Sequence, residues 1–134
     1  LEFLRATIGK LPGDQALLDR ISSILDSVPE ALQPIAARLR PVLGSCRAGF
    51  AHLRARPEDG PRLARRLMHP AAELLAASLM LEEAAADLAA GDRRKALMAG
   101  RFALRLDPHG AVDLAEDPLH TVFDDIIGHG LCPA

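Results

Sequence analysis

The chain contains neither tryptophan nor tyrosine, and its four aromatic residues are all phenylalanine. It therefore lacks the usual anchors of protein interfaces and the platforms on which single-stranded nucleic acids stack. Cysteine is scarce too. Cys46 and Cys132 make no disulfide framework and no CxxC pair, so a reducing, cytoplasmic setting is expected. Cys132 stands third from the end, in "LCPA", which is not a prenylation box. No apolar run approaches the roughly 18 residues needed to span a membrane, and no signal peptide is visible. There is no GxSxG, and no Ser or Cys with an identifiable base beside it. A Gly-rich phosphate cradle and a Glu-x-x-His pair are also missing. No active site is visible in this chain.

What remains is the material of one helical domain. The 134 residues are 49% hydrophobic and 25% charged, a globular balance that can bury a single aliphatic core. From its length we read it as a single domain over 1–134, and because it opens on Leu1 we expect a fragment or the C-terminal part of a longer protein. The net charge of -2 hides an uneven distribution. Residues 38–66 hold eight arginines against Glu58 and Asp59, and beyond Arg105 come six carboxylates with no cation. That asymmetry fits a polyanion-facing surface built from Arg38, Arg40, Arg47, Arg54, Arg62, Arg65 and Arg66, or two parts of the molecule that attract each other. Without interleaved aromatics or a nucleic-acid-reading motif, nucleic-acid contact is not favoured.

Apolar periodicity sets the architecture. Leu17, Leu18, Ile21, Ile24, Leu25 and Val28 form one helical stripe, with Asp14 placed as its N-cap. A second stripe runs through Leu32, Ile35, Leu39, Val42, Leu43, Cys46, Phe50 and Leu53. This helix should start or kink near Pro34, bend at Pro41 and end at "RPEDGP". A third, with Leu63, Leu67, Ala71, Leu74, Ser78, Leu81, Ala85 and Leu88, is kinked or split by Pro70, and its alanines suit a central position. Gly91 and Asp92 then make a helix stop and a cap. Leu97, Met98, Phe102, Leu104 and Leu106 carry the next helix. Pro118 opens a last one through Leu119, Val122, Phe123, Ile126 and Ile127. With residues 1–8 as the end of a further helix, the expectation is an all-α, antiparallel bundle of five or six helices with proline-kinked long members.

Two constellations merit weighing for chemistry. Arg93, Arg94 and Lys95 sit at a helix start where an anion could bind, but the Asp92 carboxylate competes for the same N-H groups, so the turn reads as structural. Asp117, His120 and Asp124, with His129 beyond, have helical metal-ligand spacing, yet they lie opposite the apolar stripe. His69 and Glu73 are one turn apart, with Pro70 between them. No metal is expected.

The stretch "ARRLMHPAAELLAASLMLEEAAADLAAGDRRKALMAGRFALRL" resembles the helical C-terminal region of bacterial acyl-CoA dehydrogenase-like flavoproteins. The likeness is carried by Arg65-Arg66-Leu67, by Ala76-Ala77-Ser78-Leu79, and by Gly91-Asp92 ahead of Lys95-Ala96-Leu97 and Arg101-Phe102. The ending "DPLHTVFDDIIGHG" looks like the closing helix of such chains, and the whole covers about half of the sequence. The resemblance implies that FAD is bound mainly outside this segment and that an acyl-CoA thioester is the substrate of the complete protein. It further implies that this piece packs on a catalytic core or subunit, or forms a homo-oligomer interface. The family's Arg-x-x-Phe-Gly segment and its catalytic Glu have no counterpart here, so no active-site residue carries over.

Overall fold

The computed structural model describes residues 13–106, and among them the chain is helical throughout, with no strand. Helix α1 spans Gly13–Ser27, α2 Gln33–Ala55, α3 Gly60–Ala89 and α4 Arg94–Leu106. Single 3-10 turns at Glu30–Leu32 and Pro57–Asp59 join the first three. The four helices fall within the expected all-α bundle. The helices expected over 1–8 and after Pro118 lie outside the described residues.

The apolar stripes of α1 and α2 are where the periodicity puts them. Leu18, Ile21, Ile24 and Leu25 of α1 are buried, as are Leu39, Val42, Leu43, Cys46, Phe50 and Leu53 of α2. Pro34 occupies the first turn of α2, where its missing N-H costs nothing. Asp14 stands within the first turn of α1 instead of capping it from outside. Pro70 does not split the third helix, for α3 continues through it as one 30-residue element, and α2 likewise runs through Pro41.

Helix α3 touches α1, α2 and α4. Its buried face alternates Leu67, Leu74 and Leu81 with Ala71, Ala77, Ser78 and Ala84, so the backbones of its neighbours can come near on more than one side. The Ser78 hydroxyl, fully buried, donates to the Leu74 carbonyl at 2.8 Å and so carries no unpaired polar group into the core.

In α4 the inward face differs from the expected one. Ala99 and Ala103 are buried, and Ala96, Phe102 and Leu106 pack partly against the core. Among the described residues Leu97, Met98 and Leu104 do not belong to that cluster; Leu97 and Leu104 are half-buried and Met98 is 46% exposed. A small-residue face is what lets α4 lie close along the alanine-rich α3.

The α3–α4 turn is a Schellman closure. The Asp92 N-H donates to the Asp87 carbonyl at 2.9 Å and the Gly91 N-H to the Leu88 carbonyl at 3.0 Å, with Gly91 at φ +85°. Gly91→Ala is expected to lower stability by about 1 kcal/mol. Gly44 sits inside α2 with open space where a Cβ would be, so Gly44→Ala should raise stability by about 0.5–1 kcal/mol. Urea unfolding of both variants checks the pair. Equal effects of one sign would contradict the backbone assignments.

Candidate functional site: an arginine ladder and a cleft between α2 and α3

Antiparallel packing of α1 on α2 brings three aspartates to three arginines in reverse order. Asp14 meets Arg54, Asp19 meets Arg47 at 3.8 Å, and Asp26 meets Arg40 at 2.6 Å. Arg40 also donates to the Leu25 carbonyl at 3.1 Å. The rungs differ in solvation. Asp19 and Asp26 are well exposed, whereas the Asp14 side chain is 1% exposed and meets Arg54 as an ionic contact without a directed hydrogen bond. A buried carboxylate depends on its cation far more than an exposed one does.

A second cluster pins the α2–α3 turn. Asp59 receives His52 Nε2 at 2.8 Å and lies near Arg56 at 3.7 Å and Arg62 at 3.5 Å. The His52 hydrogen bond, then the charges of Arg56 and Arg62, hold its carboxyl below the usual aspartate range against the opposing effect of burial. Of the arginines read from the sequence as polyanion-facing, Arg40, Arg47, Arg54 and Arg62 are thus paired with carboxylates of the chain, and Arg38 is engaged as well. Arg65 and Arg66 carry no ion pair among the described residues and are exposed.

At the α3–α4 turn, Arg94 closes on Asp92 with its Nη2 at 2.6 Å from Oδ2, and the Arg94 backbone N-H donates to Asp92 Oδ1 at 2.9 Å. Lys95 reaches back to Glu83 at 2.9 Å and Asp87 at 3.2 Å. Both cations are held more firmly protonated by these hydrogen bonds. Arg93 has a partner of its own. The three residues read as an anion site do not share one target, and the Asp92 carboxylate takes the first-turn donor.

The metal candidates Asp117, His120, Asp124 and His129 lie outside the described residues. His69 faces Glu73 at 3.6 Å across an unbroken helix, and Glu73 is also bound by Arg105 at 2.5 Å. Among the described residues no three His, Cys, Asp or Glu side chains converge as a metal site. No helix among them is long and apolar enough to cross a membrane.

Sequence reasoning missed a cleft of about 460 Å³ between α2 and α3. Val42, Cys46, Leu53, Leu63, Leu67 and Pro70 give it apolar walls, and Ser45, His52 and Arg66 are the polar groups among its lining. Burial pushes the Cys46 thiol up, so it stays protonated and serves as wall, not nucleophile. Gly49 also lines the cleft. A Cβ there would come within 2.7 Å of Leu67 Cδ1. Pro70 supplies no N-H to the Arg66 carbonyl one turn before it. The spacing i, i+3, i+4, i+7 shared by Val42–Gly49 and Leu63–Pro70 was visible only as core periodicity.

Two expectations follow. Arg54→Ala should cost roughly 2–4 kcal/mol by stranding Asp14, while Arg47→Ala should cost less than about 0.5 kcal/mol. Equal losses in urea unfolding would show that Asp14 is solvated. Because the Asp59 carboxyl is depressed, its contribution is fully present above the ordinary aspartate range and is lost as the pH falls through the depressed value. The stability gap between the parent and Asp59→Asn should accordingly close in acid, and a gap that widens there would refute the pairing. Comparison with protein-family models, curated proteins and solved structures finds no match to the chain.

Proposed function

We propose that the chain is a helical packing and assembly module that self-associates through the outer face of α4 and is not catalytic alone. One observation carries this reading: α4 turns Ala99 and Ala103 inward, and among the described residues Leu97, Met98 and Leu104 stand outside the core cluster, with Met98 46% exposed. A helix with two apolar faces is fitted to two neighbours, and the second here is another copy of the chain or the body of a larger protein. In the form that the resemblance implies, that body is a flavin-dependent, acyl-CoA dehydrogenase-like protein which supplies FAD and the reacting groups.

Sedimentation equilibrium should give a mass above 14.3 kDa, and Met98→Glu should return it towards that value. A monomer at every concentration, unaltered by Met98→Glu, would sink the self-association reading. A native assembly with no flavin absorbance would remove the flavoprotein form and leave assembly standing. Polyanion contact is a second reading, favoured by Arg65 and Arg66 having no ion pair among the described residues. Retention on nucleic acid should then fall steeply with salt and weaken in an Arg65→Gln, Arg66→Gln double variant.

A further inference from the structure

We infer that the α2–α3 cleft is a binding site for a compact amphipathic carboxylate, a monoanion with an apolar body of about ten carbon atoms. This goes beyond the assembly reading and uses none of the α4 residues on which that reading rests. The volume of about 460 Å³ lies inside the roughly 300–1,000 Å³ typical of small-molecule clefts. Its composition is also that of such a site: continuous aliphatic wall with few polar groups.

The charge points to the sign of the ligand. Arg40, Arg47, Arg54, Arg56 and Arg62 each have a carboxylate partner within the bundle. Arg66, lining the cleft, has none among the described residues, and His52 on the same lining is committed to Asp59. Ser45 makes no hydrogen bond among the described residues and offers a hydroxyl donor. One guanidinium and one hydroxyl above an apolar floor suit a single carboxylate with an apolar tail, since a guanidinium is pre-shaped for that group. A dianion would find one cation where it needs two. A neutral apolar molecule would leave the Arg66 guanidinium without a counter-charge.

Gly49 makes the site adjustable. A methyl at this position drives Leu67 aside, and Leu67 is itself a wall of the cleft, so Gly49→Ala reshapes the space. The helix gains propensity from the same change.

The probe is naphthylacetate, with naphthylethanol as its neutral counterpart, titrated into the isotope-labelled full chain while backbone amide resonances are followed. Saturable shifts centred on Ser45, Cys46, Gly49, Leu63 and Leu67 are expected, with naphthylacetate at least tenfold tighter than naphthylethanol. Arg66→Gln should abolish that preference while leaving the melting temperature near the parent's, because Arg66 is exposed. Gly49→Ala should weaken both probes severalfold. Met98→Glu should bind naphthylacetate like the parent, so loss of self-association and loss of the cleft are separate results. Absence of saturation, shifts centred on Leu79 and Met98, or an Arg66→Gln variant that keeps the preference would each overturn the proposal.

Discussion

The bundle rests on one steric constraint: α3 has to serve three neighbours at once. A helix that packs on several sides cannot carry large side chains on all of them, because backbone separations of about 8–10 Å leave room for only one layer between each pair. The buried face of α3 meets this by alternating leucine with alanine and serine. Ala99 and Ala103 of α4 supply the same economy from the other side. The large fully buried side chains are Ile21, Ile24 and Leu25 of α1, Leu32 just before α2, Leu39 and Phe50 of α2, and Leu74 and Leu81 of α3 itself. Among the described residues Phe102 and Leu106 of α4 still pack on the core, while Met98 stands exposed.

Charge is allocated by the same geometry. Antiparallel α1 and α2 pair position with position in reverse, so an acidic row and a basic row meet rung by rung: 14 with 54, 19 with 47, 26 with 40. The carboxylates of α3 are shared in similar fashion, Glu82 with Arg20 of α1 and Glu83 and Asp87 with Lys95 of α4. Most of these pairs are half exposed and contribute little stability each. Their effect is selective: a helix shifted by one turn would lose several at once and set Asp14 against the wrong side chain. An arginine-rich segment can therefore look like a polyanion surface in one dimension and be largely matched in three.

This explains what was legible in the sequence. The stripes of α1, α2 and α3 could be read because burial of one helical face writes itself at a period of 3.6 residues. The Gly91-Asp92 stop was legible because only a few residue types suit a left-handed C′ and a first-turn acceptor. In α4, alanine counts for little on an apolar scale, so the face bearing Leu97 and Met98 outranked the face that packs. Asp14 resembles any N-cap until α2 is known to end beside it. Pro70 reads as a break, although tertiary packing on three sides carries the helix through it. None of these exceptions is written in local sequence.

The cleft illustrates the same limit most plainly, for it is made of residues that each look like core. Two helices pack without a gap only if their opposing side chains fill every hole, and α2 presents Gly49 and Ser45 along this line. Gly49 lets Leu67 lie close against α2, and both residues line the cleft. An alanine at 49 would favour α2 by its helix propensity, but its Cβ would stand 2.7 Å from Leu67 Cδ1, so Leu67 would have to move. The entropic penalty of a glycine in mid-helix is here set against the close packing of Leu67 on α2. The cleft thus lies beside a close helix–helix contact that glycine permits without displacing Leu67.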